Sequence, residues 1–393
     1  MDRTLARLRD HLGMDIAYIS EVTDNDIFVR ALCAPNVPDL PTETITLKRE
    51  TGFCHYIING EIPPIMHDVS AYPAVANLAM RTDFSIESFM GLPLARPDGS
   101  VYGTLCCISH ETNATLNERD LETIKLFSEL VAEQIDYELE DKRLDEERKG
   151  RVQAIFDRHL LQTKLQPITR LSDGGLKGFE ALARFRTEPY LSPDKWFAEA
   201  NLVGRGLDLE IEAIRVASAC LSRLPASCSV SFNVSPECLI SDELVNVLEP
   251  LTPSQIILEL TEHAKVANYD VLAENIMKFK RRGYRIAIDD AGAGYSSLSH
   301  IVQLQPDLIK LDMSLTRDVD SDQARRSLAN ALVYFAKETK AEIVAEGIET
   351  QEEMETLRKL GVNFGQGYFF DRPMDVEDAA RLAHEQMGAR QAA

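Results

Sequence analysis

The chain has 393 residues, a length that allows about two to three domains, each able to bury its own core. Its formal net charge of -21 argues against general binding to DNA, RNA or anionic membrane surfaces, because all three require clustered lysine and arginine. Residues 1–10 are charged and contain no signal-peptide core, and no apolar run approaches the ~20 residues of a spanning helix. We therefore expect a cytoplasmic protein.

The first part of the chain alternates short apolar strands with turns and short helices. Pro97-Asp98-Gly99 between two apolar runs predicts a hairpin, because proline presets φ and glycine accepts the positive φ that follows. We expect an antiparallel sheet with flanking helices, an α+β domain of roughly 140 residues. The predicted strands are residues 16–22, 27–31, 62–66, 88–94 and 101–108, and the predicted helices are residues 5–12, 53–59 and 72–80.

The cysteines are odd in number and form no CxxC pair, in a chain too large to depend on disulfides. We expect buried free thiols at Cys33, Cys54, Cys106, Cys107, Cys220, Cys228 and Cys238. Cys54 beside His55 also suggests a metal or a thioether-linked chromophore, but such a pair without further ligands is usually structural.

A long helix is expected after the N-cap residue Asn117, with Asp120 in the first turn where the helix dipole favours negative charge. Its apolar stripe consists of Leu121, Ile124, Ser128, Val131 and Ile135. Residues 138–149 are then almost all charged. They are either a solvated linker helix or a dimeric signalling helix.

The second part of the chain alternates strands and helices, which indicates a β/α barrel or a doubly wound sheet. The short stretch 171–175 between the first two strands leaves too few residues for a parallel crossover, so one antiparallel strand is expected. The predicted strands are residues 163–168, 176–185, 229–234, 256–260, 285–289, 308–311, 342–345 and 367–370. The predicted helices are residues 193–223, 242–248, 269–282, 321–339 and 351–360.

Polar side chains recur where these strands end: Glu180, Asn233, Glu259, Asp289, Asp290, Asp312 and Glu346. A parallel barrel brings such strand ends together at one mouth. Crowded carboxylates raise each other's pKa unless cations neutralise them, and a divalent metal is the simplest such cation.

Some of the acids in these motifs also have a plain structural interpretation. Asp290 could cap a turn, and Glu349 could be a helix N-terminal residue favoured by the dipole. Lys310 lies inside an apolar strand and must be paired or functional there, because burying an unpaired ammonium is costly.

These segments together resemble the EAL domain family, the phosphodiesterases that act on the bacterial messenger cyclic di-GMP. The resemblance spans about residues 150 to 386. The matching stretches are Leu165-Gln166-Pro167-Ile168, Glu180-Ala181-Leu182-Ala183-Arg184, Phe232-Asn233-Val234-Ser235-Pro236, Leu258-Glu259-Leu260-Thr261-Glu262, residues 289–298, Lys310-Leu311-Asp312, Glu346-Gly347-Ile348-Glu349 and Gln366-Gly367-Tyr368.

The resemblance implies a modified (β/α)8 barrel with one antiparallel strand and two Mg²⁺ or Mn²⁺ ions in each active site. The implied metal ligands are Glu180, Asn233, Glu259, Asp289, Asp290 and Glu346; the implied catalytic residues are Glu180, Lys310, Glu262 and Glu349; the implied substrate-binding residues are Gln166, Arg184, Gln366 and Asp312. The chain departs from the family pattern at Ala291 and Ala293, which puts in question how that loop packs and is regulated.

The first part of the chain is similar to a GAF domain through Gly52-Phe53-Cys54, Met90-Gly91-Leu92-Pro93-Leu94 and the stretch from Asp98 to Cys107. GAF domains sense small molecules, cyclic nucleotides, redox state or chromophores, and some only dimerise. Cys54 does not fall where the family's bilin-linking cysteine lies, so no covalent bilin is expected.

The sequence thus predicts a GAF-like sensor domain over residues 1–137, a charged helical linker over 138–150 and an EAL phosphodiesterase domain over 151–393. The expected activity is metal-dependent hydrolysis of cyclic di-GMP to linear pGpG, modulated by an unknown ligand of the GAF-like domain in a homodimer. The alternative is a catalytically silent cyclic di-GMP receptor that acts through protein contacts.

Overall fold

A computed structural model describes residues 2–35, 45–260, 268–291 and 297–391. It divides into two compact units, Met1–Asp145 and Glu146–Ala393. Within the described residues, no helix is both long enough and apolar enough to cross a lipid bilayer.

The first unit is built on a six-stranded antiparallel sheet with the order β3-β2-β1-β6-β5-β4. Its strands are β1 Ile16–Val22, β2 Asp26–Cys33, β3 Thr46–Lys48, β4 Ile65–Met66, β5 Ser88–Ala95 and β6 Val101–Ser109. Its helices are α1 Asp2–Leu12, α2 Phe53–Ile58, α3 Ala79–Asp83 and the start of α4 Glu118–Asp157. The hairpin between β5 and β6 is confirmed, with Gly99 at φ 84°.

Strand alternation divides the core of this unit between the two faces of the sheet. On one face Ile19, Leu105 and Cys107 belong to a buried cluster that includes residues of α1 and α4. On the other face Tyr18 and Cys106 belong to a second cluster that includes residues of α2. Neighbouring residues on one strand, such as Cys106 and Cys107, therefore lie in different environments.

Helix α4 begins where the sequence predicts, because the Asn117 side chain accepts a hydrogen bond from the Arg119 amide at 2.9 Å. Ile124, Val131 and Ile135 are buried, as the stripe predicts. The helix continues without interruption for 40 residues, so the predicted linker is part of one longer helix.

The second unit is a closed eight-stranded barrel with the order β10-β11-β12-β13-β14-β7-β8-β9. Its strands are β7 Leu161–Arg170, β8 Leu176–Phe185, β9 Ser229–Val234, β10 Ile256–Leu260, β11 Arg285–Ala291, β12 Leu308–Leu311, β13 Glu342–Ala345 and β14 Phe364–Gly365. β7 pairs antiparallel with both β8 and β14, which confirms the predicted antiparallel strand.

Helices follow most of these strands and supply the outer layer of the barrel. They are α5 Pro193–Leu202, α6 Gly206–Ser218, α7 Pro236–Leu239, α8 Asp242–Leu248, α9 Tyr269–Arg281, α10 Ser297–Leu304, α11 Met313–Thr316, α12 Gln323–Thr339, α13 Gln351–Leu360 and α14 Val376–Gln391.

Three predicted elements are wrong, each for a local reason. The helix at 72–80 is replaced by a turn, since Pro73 forces Tyr72 into an extended conformation at ψ 101°, and only α3 is helical. The helix at 193–223 is broken between α5 and α6 at Gly204, where φ is 72°. The last barrel strand is β14 rather than 367–370, because the chain turns at Gly367 against the backbone of Ile348.

Candidate active site

Lys310 is the centre of the candidate site. Lys310 lies in β12 and is only 1% exposed, and its ammonium lies among four carboxylates. The distances from Nζ are 3.4 Å to Glu180, 3.1 Å to Glu259, 3.1 Å to Asp289 and 2.5 Å to Glu346. The barrel therefore brings together five of the predicted residues.

Parallel strand register explains this convergence. Glu259 of β10 pairs with Ala287 of β11, so Asp289 lies two residues nearer the strand's C-terminal end. Lys310 of β12 pairs with Val344, two residues before Glu346. Because alternate residues of a strand point to the same face, these spacings direct the side chains to one side of the barrel wall.

The carboxylates share a single ammonium, and their pKa values diverge. Burial, together with the neighbouring Glu180 and Asp289, raises the pKa of Glu259 to about 8 in spite of Lys310. Burial likewise raises the pKa of Glu346, with Asp289 and Glu180 adding to the effect. The site thus contains more carboxyl groups than one ammonium can keep ionised.

Glu180 differs because neutral donors also contact it. Burial opposes ionisation of Glu180, but Lys310, Gln366 and Asn233 together lower its pKa. Asn233 donates to one carboxylate oxygen at 3.1 Å, and Gln366 donates to the other at 2.8 Å. Burial also works against the Lys310 ammonium, but the four carboxylates raise its pKa well above the ordinary value.

Two glutamines extend this hydrogen-bonding chain. Gln366 donates to Gln166 at 3.1 Å, and Gln166 donates to the Asp371 carbonyl at 3.4 Å. The Gln366 Oε1 atom is buried, and no group in the described part of the chain donates a hydrogen bond to it. An acceptor in this position can serve a ligand that offers a hydrogen.

An open cavity of 340 Å³ adjoins these groups. Its lining consists of Gln166, Glu180, Asp312, Met313, Glu346, Gly347, Glu349, Gln366, Gly367 and Tyr368. Gly347 is required there, since φ is 65° and a Cβ atom would lie 2.6 Å from the Cβ of Met313.

Asp312 and Glu349 both line the cavity and both have structural partners. Asp312 is the N-cap of α11 and accepts from the Ser314 amide at 2.9 Å. Glu349 is exposed and forms an ion pair with Arg317 at 2.5 Å.

Glu353 is a functional candidate that the sequence reasoning missed. Its buried carboxylate accepts from the amides of Asp318 at 3.0 Å, Glu349 at 2.9 Å and Thr350 at 3.1 Å. It thereby ties down the segment that carries Glu346 and Glu349. The capping box formed by Thr350 and Glu353 is the sequence signal that could have identified it.

Arg184 lies apart from the carboxylate cluster. Its guanidinium donates to the Ala183 carbonyl at 2.7 Å, and it lines a second cavity of 340 Å³ that also includes Asn233 and Phe197. Glu262, Ala293 and the side chain of Asp290 lie outside the described part of the chain, while Ala291 is buried at the end of β11.

The donor set of the cluster is suited to hard divalent cations, which prefer carboxylate and amide oxygens. Four carboxylates face one ammonium, and the buried Asp289 Oδ1 atom, 3.1 Å from that ammonium, accepts no well-aligned hydrogen bond from the described residues. Within the described residues, however, no three acidic, histidine or cysteine side chains are grouped closely enough to hold one ion. The residues fit Mg²⁺ or Mn²⁺ in chemistry.

Comparison with known families identifies the fold. Residues 150–373 match the EAL domain model. The chain belongs to the EAL domain family. Residues 1–135 match the GAF domain model, so both resemblances found in the sequence are confirmed.

Named relatives match the EAL part. A probable cyclic di-GMP phosphodiesterase of Escherichia coli, PdeB, is 32% identical over 248 residues, which cover 60% of this chain and 47% of PdeB. The cyclic di-GMP phosphodiesterase NbdA of Pseudomonas aeruginosa is 32% identical over 238 residues, covering 57% of this chain and 30% of NbdA. The chain thus spans about half of these relatives or less.

A solved structure of Klebsiella pneumoniae BlrP1, described as a manganese and cyclic di-GMP complex, is 30% identical with a TM-score of 0.50. The match covers 55% of this chain and 56% of BlrP1. The EAL barrel described above therefore has a solved counterpart that binds both a divalent metal and a cyclic dinucleotide.

Proposed function

We propose that the EAL domain hydrolyses cyclic di-GMP to linear pGpG in a metal-dependent reaction. The observation that carries this proposal is the buried Lys310 among four carboxylates beside an open cavity. Relatives named as cyclic di-GMP phosphodiesterases, and the manganese and cyclic di-GMP complex of BlrP1, support the choice of substrate and cation.

Two groups of residues would hold the cations. Glu180, Asn233, Glu259 and Asp289 would hold one Mg²⁺ or Mn²⁺, and Asp289, Asp290 and Glu346 would hold a second. Such ions, when bound, polarise a phosphate and lower the pKa of bound water. Four carboxyl groups surround a single ammonium, and this imbalance favours binding of external cations.

The remaining side chains would position substrate and water. The Lys310 ammonium would stabilise negative charge that develops on the phosphate. Because Lys310 is buried, this electrostatic stabilisation would be strong. Gln366 holds Glu180 in place and presents its free Oε1 atom, and Gln166 supports Gln366.

Four other residues keep proposed roles at the edges of the site. Arg184 would bind phosphate from its own cavity, and Asp312 would contact substrate at the cavity wall. Glu349 would be a catalytic residue on the same cavity wall, and Glu262 would anchor the loop after Asp290.

A direct assay tests the proposal. Purified protein is incubated with cyclic di-GMP and Mg²⁺ or Mn²⁺, with a parallel sample in chelator, and products are separated by chromatography. Formation of pGpG only with metal is the expected result. Bound but unchanged dinucleotide would instead identify a silent receptor, and the absence of both binding and turnover would exclude a cyclic di-GMP function.

We further propose that the GAF domain modulates this activity through α4, with the domain boundaries near residues 137 and 150. Helix α4 supports this because Ile135 belongs to the buried core of the first unit while Val152 and Ile155 belong to that of the second. Inserting two alanines after Glu146 rotates the helix phase by about 200°, whereas seven alanines restore it to within about 20°. A several-fold change in kcat with two alanines but not with seven is expected; equal values would contradict coupling through the helix.

A homodimer is the proposed assembly. Leu130, Tyr137 and Leu144 of α4 recur at seven-residue spacing and are 56%, 71% and 44% exposed. Such a stripe suits packing against the same helix of a second copy. Sedimentation of the wild type should give a dimer, and the substitution of Leu130 and Tyr137 by glutamate should shift it to monomer; a wild-type monomer would contradict this assembly.

A further inference from the structure

A small group of polar side chains is buried within the apolar core of the GAF domain. Cys54 projects from α2 toward Tyr18 and Ser20 of β1 and Thr104 and Cys106 of β6. All five residues are at most 3% exposed. Antiparallel pairing explains the grouping, because Tyr18 is opposite Cys106 and Ser20 is opposite Thr104.

The hydrogen bonds in this group run in one direction. Cys106 donates to the Thr104 hydroxyl at 3.2 Å, Thr104 and Ser20 are hydrogen-bonded at 2.8 Å, and Ser20 donates to the Cys54 sulfur at 3.3 Å. Each hydroxyl has one hydrogen, so donation by Ser20 to Cys54 leaves Thr104 to donate to Ser20 and Cys106 to donate to Thr104. Cys54 is the terminal acceptor, a position that stabilises a thiolate, while Cys106 keeps its proton.

The other titratable groups around Cys54 are consistent with this assignment. The neighbouring Cys106 thiol, together with the hydroxyls of Ser20, Thr104 and Tyr18, lowers the pKa of Cys54 to about 6 against the effect of burial. Burial raises the pKa of Cys106 well above its ordinary value. His55 accepts a hydrogen bond from Arg49 at 3.3 Å instead of contacting the thiol group.

Cys54 and Cys106 are at most 1% exposed and do not line the cavity beside Tyr18, so an oxidant must reach them through a transient opening that favours small molecules. Tyr18, whose hydroxyl is 3.8 Å from the Cys54 sulfur, also lines an apolar cavity of 30 Å³. That volume is enough for about one water-sized molecule. Hydrogen peroxide is of this size and uncharged, whereas glutathione is far too large.

We propose that Cys54 and Cys106 form a peroxide-reactive dithiol site that closes reversibly to a disulfide. The Cys54 thiolate attacks one peroxide oxygen, the O–O bond breaks and hydroxide leaves, which gives a sulfenic acid. The Cys106 sulfur then attacks the Cys54 sulfur; the S–S bond forms, the S–O bond breaks, and hydroxide leaves with the Cys106 proton as water. Overall, two thiols are oxidised, one peroxide is reduced, and two waters form.

Cys107 provides a matched comparison within the same strand. It is as buried as Cys106 but belongs to the core on the opposite face of the sheet. Burial raises its pKa to about 12. Cys107 should therefore remain a thiol while Cys54 reacts. At neutral pH its reaction with peroxide should be about tenfold slower than that of Cys54, or slower still.

Mass spectrometry of the full chain tests the proposal. The folded protein is treated with stoichiometric hydrogen peroxide, then unfolded in denaturant so that alkylating reagent reaches the buried thiols, alkylated, and digested with trypsin without reduction. The expected product links the peptide carrying Cys54 to the peptide carrying Cys106, with Cys107 alkylated, and dithiothreitol reverses the link. Cys54 and Cys106 both remaining alkylatable after peroxide, or oxidation confined to Cys33, would overturn the proposal.

Two variants and a pH series sharpen this test. Cys106→Ser should stop at a sulfenic acid on Cys54 that dimedone traps when it is added with denaturant after the peroxide, and Cys107→Ser should leave the disulfide yield unchanged. The rate of peroxide oxidation of the wild type should rise with pH, and the midpoint of this rise should lie at about 6, because the thiolate is the reactive form and predominates above the pKa. A midpoint near the ordinary thiol value of about 8.5 would contradict the assignment of Cys54, even if a variant failed to fold.

Discussion

Polar groups are buried in both units, but they are satisfied in opposite ways. At the barrel mouth, Lys310 faces four carboxylates and cannot neutralise them, and burial raises the pKa of Glu259 and Glu346. In the GAF core, Ser20 and Thr104 connect the sulfurs of Cys54 and Cys106 through a chain of hydrogen bonds. The role proposed for the first cluster requires ions from outside, while the hydrogen bonds of the second lie within it.

The difference predicts what each cluster responds to. Four carboxyl groups around one ammonium make the barrel mouth sensitive to divalent cations. A hydrogen-bond network that ends at the Cys54 sulfur makes the GAF core sensitive to chemistry at sulfur. The following substitutions test this contrast, from the largest expected effect to the smallest.

Glu180→Ala should abolish hydrolysis, with a loss in kcat of about 10³-fold or more, because it removes a proposed ligand and the acceptor of two amide donors. The fold should persist, since the side chain adjoins a cavity. The measurement is pGpG formation, with circular dichroism to confirm folding.

Glu342→Gln is the matched control for this substitution. Glu342 is paired with Arg285 at the opposite end of β13 from the cluster, so its loss should leave kcat within about twofold. Full turnover in Glu180→Ala would show that the metal assignment is wrong.

Lys310→Met should reduce kcat by roughly 10² to 10³-fold and should also destabilise the metal-free protein. Removing one partner of a buried ion pair costs about 3–5 kcal/mol, because the carboxylates are left unpaired. Addition of Mn²⁺ should restore much of the lost stability, since the ion would replace the missing positive charge. Thermal unfolding with chelator and with Mn²⁺ measures both effects.

The control for Lys310 is Lys280→Met, which removes a partly exposed pair with Asp307. It should cost at most about 1 kcal/mol and should not depend on metal. If Lys310→Met were equally stable with and without Mn²⁺, the lysine would not be the counter-ion of the cluster.

Glu353→Gln should lower kcat by about tenfold, because the neutral amide holds the amides of Asp318, Glu349 and Thr350 less strongly. KM should change less than kcat if the segment positions Glu346 for the reaction. Glu352→Gln, an exposed substitution in the same helical turn, should have no effect. Equal activities of the two variants would limit Glu353 to a structural role.

Most of the barrel could be predicted from the sequence because its strands are continuous apolar runs that end at polar residues. The bounds of β8, β9, β10, β12 and β13 match the predictions, and strand-end convergence follows from the parallel topology. β14 could not be predicted, because a strand of two residues is too short to show an alternating pattern of apolar side chains.

The site was only partly predictable for a related reason. Register places Glu259, Asp289 and Lys310 together, but it does not reveal that the lysine contacts every carboxylate of the cluster. Arg184 could not be placed, because a long side chain can turn toward either of two cavities. Cys54 and Cys106 were predicted only as buried thiols, since their hydroxyl partners come from different elements.

The smallest expected effect is in the GAF core. Ser20→Ala removes the donor to Cys54 and the partner of Thr104, so it should reduce stability by about 1–2 kcal/mol and slow peroxide oxidation of Cys54 several-fold. Ser88→Ala is the matched control: Ser88 is equally buried, and its hydroxyl donates to the Glu111 carbonyl at 2.8 Å. Both variants should unfold at similar denaturant concentrations, but only Ser20→Ala should change the oxidation rate. Equal rates would mean that the hydroxyl network serves packing alone and that Cys54 does not depend on its donors.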